Sequence, residues 1–214
     1  MLLATALAAL ALLITHPAPG RVPVFAVADA PLRLNEILPG PARDWDGSGA
    51  YSSRDDEWVE LINTGATPLD LAAFFITDGD TLPRYGLSGT LAGNARMVVF
   101  GRDAYAWERA NGFPAYGLSL SNSGDRVMLW QVSGGDTLLL DSYAYTSHEA
   151  AADRAIGRLA EGIGAWQLFD GLNPYVGTTP PPGNGCAPTP NAANVCDLTP
   201  AQPVTWGRLK TLYK

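Results

Sequence analysis

The chain has 214 residues, of which 47% are hydrophobic, together with 23 glycines and 17 prolines. This composition fits one globular domain that is rich in turns. Fourteen basic and 21 acidic residues give a net charge of −7, which opposes binding to a phosphate backbone and argues against a nucleic-acid-binding protein.

The N-terminal segment has the composition of a secretory signal. Residues 2–14 are an apolar run, too short to span a bilayer comfortably, and the small residues Ala26, Ala28 and Ala30 supply a cleavage pattern. We therefore predict a signal peptide over residues 1–30, a mature chain with no transmembrane span, and a secreted or cell-surface location. The alternatives are an uncleaved anchor and a misplaced start codon.

Short runs that alternate apolar and polar residues recur along the chain and are separated by Gly- and Asp-rich turns. Such runs favour a β-sandwich or a barrel. The predicted strands are Leu32–Leu38, Glu57–Asn63, Phe74–Thr77, Arg96–Phe100, Arg126–Val132 and Thr137–Tyr145.

Residues 61–68 (LINTGATP) and 120–127 (LSNSGDRV) repeat one polar phrase after an apolar approach. Asn can bond the backbone two residues on, and Gly accepts a positive φ, so each copy predicts a chain reversal at a corner of the sandwich. One short helix is also predicted, with Asp103 as its N-cap and Gly112 as its left-handed C-terminal residue.

The acidic stretch DWDGSGAYSSRD, residues 44–55, matches the spacing of a twelve-residue calcium loop. Calcium requires six to eight oxygen ligands, and in such loops positions 1, 3, 5, 7, 9 and 12 supply them. The corresponding residues are Asp44, Asp46, Ser48, Ala50 through its carbonyl, Ser52 and Asp55. The sequence predicts a Ca²⁺ site here, and the alternative is a solvated acidic loop.

Two aromatic residues of this stretch, Trp45 and Tyr51, are candidates for contacts with a partner. The alternative is that both fold back over the loop. Elsewhere, Asp78-Gly79-Asp80 predicts a hairpin turn. Glu36 and Glu60 lie on predicted strands and could pair with Arg33, Arg96 or Arg126 across the sheet.

The C-terminal part differs in composition from the rest. Residues 171–200 are rich in Pro and Gly and contain both cysteines, Cys186 and Cys196, which we expect to form a disulfide in an exported protein. Residues 201–214 end the chain, with apolar residues that could line one face of a short helix. We expect this tail to dock on its own domain or to be loose, and the alternative is a sorting tail.

No catalytic constellation stands out, so the sequence predicts a protein without enzymatic activity. Only one histidine, His148, follows residue 30, and no lysine precedes Lys210. Ser147 and Glu149 are the immediate neighbours of His148 in sequence, and the side chains of neighbouring residues do not converge as a triad.

Several phrases together resemble the lamin tail domain family, and bacterial secreted members in particular. They are LNEIL (34–38), DEWVELINTGATPLDL (56–71), FFITDGD (74–80), VVFGRD (98–103) and LSLSNSGDRVMLW…DSYAY (118–145). The resemblance covers residues 31–170 and implies an immunoglobulin-like β-sandwich with one short helix, used as a non-catalytic interaction module.

The expected function is therefore that of an exported interaction or scaffolding module, with an acidic loop that Ca²⁺ stiffens and a protein or cell-surface polymer as its partner. The alternative is an accessory domain of a secreted hydrolase or nuclease system.

Overall fold

Two antiparallel sheets form the framework of residues 30–196, the part of the chain that the computed structural model describes. One sheet has the strand order β11-β10-β1-β2-β7 and the other has β5-β4-β8-β9, while β3 and β6 form a short ribbon. The elements are β1 (Leu32–Leu38), β2 (Trp58–Asn63), β3 (Leu69–Asp70), β4 (Phe74–Thr77), β5 (Pro83–Gly86), β6 (Thr90–Leu91), β7 (Arg96–Phe100), α1 (Gly101–Asn111), β8 (Gly124–Ser133), β9 (Asp136–Thr146), β10 (Ala155–Arg158) and β11 (Trp166–Phe169).

The predicted all-β sandwich is thereby confirmed, and its immunoglobulin-like topology remains a prediction. Three predicted strands have the observed bounds, and the other three differ by one or two residues at an end. The expected signal peptide (1–30) and tail (201–214) lie outside the described residues, apart from Ala30. Within residues 30–196, no helix is both long and apolar enough to cross a membrane.

The main core lies between the two larger sheets. Val59 and Leu61 on β2 and Ile76 and Leu129 on β4 and β8 belong to one buried apolar cluster. A fully buried aliphatic side chain contributes roughly 1.5–3 kcal/mol relative to an exposed one. This cluster is therefore the main source of stability for the sandwich.

The outer face of the five-stranded sheet is buried as well. Every residue of β2 is buried, although alternate side chains point to opposite faces of a sheet. Trp58 and Leu38 pack there in a second cluster with Ala155, Phe169 and Cys186. Loops contribute to the cover of this face, since Trp45, Cys186 and Cys196 lie outside the strands and pack in the same cluster.

One of these covers is the C-terminal segment, which the predicted disulfide between Cys186 and Cys196 closes. The Gly171 N–H donates to the Cys186 carbonyl at 2.8 Å. The Asp170 carboxylate accepts the N–H groups of Tyr175 and Gly185, each at 2.7 Å. These bonds fold the Pro/Gly-rich segment back onto the sheet next to β11.

The two repeated phrases make corners by different means. Asn63 Oδ1 accepts the Gly65 N–H at 3.0 Å, as predicted for an Asn turn, and Gly65 has no positive φ. At the second corner Ser121 Oγ accepts the Ser123 N–H at 3.2 Å, and Gly124 takes φ +113°. The turn prediction holds for both phrases, but each uses only one of the two expected devices.

The helix α1 begins three residues earlier than predicted. Gly101 is its first residue, and Asp103 lies in the first turn, so the prediction of Asp103 as N-cap is wrong. The Asp103 carboxylate nevertheless accepts the Phe100 N–H at 3.3 Å, which satisfies a free donor at this end. Gly112 ends the helix at φ +77°, as predicted.

The predicted hairpin at Asp78-Gly79-Asp80 joins β4 to β5 and is held by a buried guanidinium. The Arg84 side chain is 3% exposed and lies 2.7 Å from carboxylates of both Asp78 and Asp80. It also lies 3.2 Å from Glu108 on α1. Arg84 therefore ties the hairpin to the helix.

We expect Arg84→Ala to lower the free energy of unfolding by about 3–5 kcal/mol, because it leaves buried carboxylates without their counter-ion. Arg109→Ala is the matched control. Arg109 is exposed on the same helix, and its loss should cost less than about 1 kcal/mol. Urea unfolding measures both, and equal losses would contradict this role of Arg84.

Candidate functional sites

Three aspartates gather in the loop that joins β1 to β2, here called the acidic loop (residues 39–57). Asp44, Asp46 and Asp56 each offer a carboxylate oxygen, and these oxygens lie within 4.8 Å of one another. The two aspartates predicted for positions 1 and 3 of a calcium loop are thus brought together.

Backbone N–H groups hold this loop in shape. Buried Asp56 accepts the N–H groups of Trp45 at 2.7 Å, Asp46 at 2.9 Å and Ser52 at 2.7 Å. Asp44 accepts those of Ser48 at 3.0 Å and Gly49 at 2.8 Å. The carboxylates therefore hold the backbone of the loop around them through these hydrogen bonds.

The third carboxylate of the group is Asp56 and not Asp55, which the spacing had placed at position 12. The Asp55 carboxylate lies against its neighbour, 2.6 Å from the Arg54 guanidinium. That hydrogen bond holds the pKa of Asp55 below its usual value. The loop is therefore one residue longer than the calcium-loop spacing predicts before its third carboxylate reaches Asp44 and Asp46.

The remaining predicted ligands bond to the loop itself. Ser48 Oγ donates to the Ala50 carbonyl at 3.0 Å, and Ser52 Oγ accepts the Asp55 N–H at 3.2 Å. All six predicted ligand residues are exposed or partly exposed.

A guanidinium supplies positive charge to the group. Arg102, in the first turn of α1, lies 3.2 Å from Asp46 Oδ2, although this buried oxygen accepts no hydrogen bond of good geometry. Burial acts to raise the pKa of Asp46, but the bonds from Ser48 and the charge of Arg102 outweigh it and lower that pKa. One guanidinium beside three carboxylates leaves negative charge that a cation could balance.

The two aromatic residues of the loop have different environments. Trp45 packs edge-to-face on Trp58 with ring centroids 6.1 Å apart, and its Nε1–H donates to Asp153 at 2.9 Å. Tyr51 is 54% exposed, and its hydroxyl donates to the Pro41 carbonyl at 3.2 Å. Trp45 thus folds back over the sheet, while Tyr51 presents its ring to solvent.

A pair of buried carboxyl groups lies on the covered face of the five-stranded sheet. Glu36 on β1 is directly opposite Glu60 on β2, and neither side chain is exposed. Burial raises the pKa of Glu36 to about 8 and that of Glu60 to about 7. The predicted pairing with arginine is wrong for both, since Arg96 pairs with Glu161 instead.

Sequence reasoning missed this pair for two reasons. Glu60 alternates with the core residues Val59 and Leu61, a position that usually faces solvent, and a β-bulge between Leu34 and Glu36 moves Glu36 to the same outer face. The available signal was Trp58, two residues before Glu60 on the same face: a large aromatic there requires a cover, and the cover buries Glu60 with it.

His148 and Glu149 form hydrogen bonds to nearby structural groups. The His148 ring nitrogens lie 2.7 Å from Thr146 Oγ1 and 3.3 Å from the Pro181 carbonyl oxygen. The Glu149 carboxylate accepts the Tyr143 hydroxyl at 2.6 Å and the Thr146 N–H at 2.8 Å.

An apolar groove, here called the helix groove, lies between α1 and the edge of the four-stranded sheet and has a volume of about 440 Å³. Its lining residues are Ala72, Ala73, Phe74, Phe75, Pro83, Gly86, Leu87, Trp107, Asn111, Phe113 and Val132. A neighbouring hollow of about 600 Å³ shares Phe74 and Val132 and extends it. Trp107 stacks on Phe113 at 5.3 Å between ring centroids, which fixes the wall that α1 contributes.

No protein-family model, curated protein or solved structure matches this chain.

The role of Asp56 in the acidic loop gives a direct prediction. Asp56→Ala removes the acceptor of three backbone N–H groups, so we expect a loss of about 2–4 kcal/mol in unfolding free energy. Asp55→Ala breaks only a partly exposed ion pair and should cost about 1 kcal/mol or less. Chemical unfolding of the two variants tests this, and a larger loss for Asp55→Ala would contradict it.

Proposed function

We propose that this chain is an exported, non-catalytic interaction module of the lamin-tail type, acting at the bacterial cell surface. Two features support the proposal. The disulfide between Cys186 and Cys196 suits an oxidising compartment. In addition, the carboxyl groups described above accept bonds from backbone N–H groups, which is a structural use of acidic residues.

The observation that carries the proposal is the helix groove, with its wall of aromatic and aliphatic residues. Binding sites are typically concave and lined mainly by apolar and aromatic side chains, with a few polar groups. Among the residues within 30–196 that line this groove, only Asn111 and the indole N–H of Trp107 offer polar side-chain groups. A polysaccharide would need several hydrogen-bonding groups, so we infer that the occupant is an apolar segment of another protein.

This inference predicts that Val132→Asp weakens peptide binding at least tenfold. Val132 is 40% exposed and lines the groove, so a carboxylate there would be desolvated by an apolar ligand. A random peptide library should yield peptides with apolar anchors that bind the native protein and lose at least tenfold in affinity to the variant.

Val176→Asp is the matched control, because Val176 is 96% exposed and does not line the groove. It should bind the selected peptides as the native protein does. The proposal fails if the library yields no groove-dependent peptide, or if cell-wall polymer binds and Val132→Asp leaves that binding unchanged.

We also propose that Ca²⁺ binds the acidic loop at Asp44, Asp46 and Asp56. The support is the convergence of three carboxylate groups within 4.8 Å, which is suited to a hard cation that prefers oxygen ligands. Ca²⁺ there would supply charge that Arg102 alone does not, and would fix the loop beside the covered sheet face.

Millimolar Ca²⁺ should therefore raise the melting temperature. For a dissociation constant in the weak extracellular range of about 0.1–1 mM, 10 mM Ca²⁺ adds about 1.4–2.7 kcal/mol. Asp44→Asn should remove this gain, whereas Asp55→Asn should keep it, since Asp55 bonds to Arg54. Thermal melts with Ca²⁺, Mg²⁺ and chelator measure the effect, and an unchanged melting temperature refutes the site.

A further inference from the structure

The paired carboxyl groups of Glu36 and Glu60 lie directly beneath the disulfide loop, defined here as residues 186–196. Glu36 accepts the Thr189 N–H at 3.0 Å and the Thr189 hydroxyl at 2.9 Å. Glu60 accepts the Asn191 N–H at 2.6 Å. The centre of the loop is therefore attached to the sheet through these two side chains.

Asn194 makes the other bonds from the middle of the loop to the rest of the domain. It donates its N–H to Glu161 at 3.2 Å, and its side-chain amide to the carbonyls of Arg158 at 3.1 Å and Asn35 at 3.4 Å. Within the loop, Thr189 Oγ1 lies 2.8 Å from Asn194 Oδ1. Three glutamates thus provide the side-chain acceptors for the backbone N–H groups of residues 189, 191 and 194.

Most of the charged side chains around this pair are negative. Glu161 adds a second negative neighbour to both groups, and Arg96 on β7 is the basic side chain that acts on Glu60. Arg96 is itself engaged by Glu161. The disulfide loop has no ionisable side chain between its cysteines, and β10 contributes only the Arg158 carbonyl.

Two carboxylates on opposite residues of neighbouring strands, out of water and without a dedicated counter-ion, cannot both be charged at low cost. Their cheapest route to water is displacement of the loop above them, because the sheet below is the packed core of the protein. The disulfide keeps a displaced loop attached at both ends.

We propose that the disulfide loop is a pH-sensitive cover, closed while the Glu36/Glu60 pair keeps a proton and opened when both groups ionise. Opening is local and reversible, because the loop remains tethered and the sandwich core is unaffected. It also reshapes a groove of about 410 Å³, in which Pro190 and Asn191 face Trp45 and Phe100.

The sign of the pH dependence follows from burial. Burial raises the pKa of Glu36 from 4.5 to about 8 and that of Glu60 from 4.5 to about 7 in the closed form. The closed form therefore binds protons more tightly than the open one. Its stability is complete below about pH 4.5 and declines as the pH rises toward 8.

Amide hydrogen exchange on the full mature chain tests the cover directly. The protection factors of the Thr189 and Asn191 amides, corrected for the intrinsic rate at each pH, should fall about thirtyfold to hundredfold between pH 6 and 8.5. Those of Val59 and Leu61 in the core should change far less. The variant E36Q/E60Q, neutral at both positions, should show a fall of less than about threefold.

Glu149→Gln is the matched control, since Glu149 is a buried glutamate that bonds outside the loop. It should behave as the native chain. Carbon-13 titration of the native glutamates gives a readout independent of any variant, and one proton of the pair should leave above about pH 6. Titration of both groups near 4.5, or an equal loss of protection in loop and core, overturns the proposal.

Discussion

The structure depends on the burial of both faces of β2. One face packs into the core between the sheets, and the other carries Trp58 and Glu60 under a cover of loops. A sandwich of this kind usually exposes the outer face of each sheet. Here the acidic loop and the disulfide loop cover the outer face of the five-stranded sheet in place of solvent. Both loops are therefore integral parts of the fold.

That constraint explains how the acidic residues are used. A buried face made of loops contains many backbone N–H groups that cannot reach water, and each of them needs an acceptor. Asp56, Glu36, Glu60 and Asp170 supply these acceptors from strand ends and strand faces. The excess of acidic residues therefore has a structural cause inside the protein, besides any part that it plays in ligand binding.

Local chemistry was enough to predict six of the eleven strands between residues 30 and 196, the left-handed Gly112 and the disulfide. The strands β3, β5, β6, β10 and β11 were missed because each has four residues or fewer. The acidic loop was recognised from its spacing, but its register was off by one residue, since Asp56 and not Asp55 faces Asp44. The Glu36/Glu60 pair depends on a cover that lies 153 residues from Glu36 and 131 residues from Glu60 in sequence, which strand periodicity alone does not reveal.

The helix α1 joins two regions that are otherwise separate. Its first turn receives the acidic loop: Gly101 donates its N–H to the Glu57 carbonyl at 2.8 Å, and a side chain at Gly101 would collide with the Arg54 backbone. Six residues later, Trp107 forms a wall of the helix groove. An α-helix is stiff over so short a length, about 9 Å. The acidic loop and the wall at Trp107 are therefore held in a fixed position relative to each other.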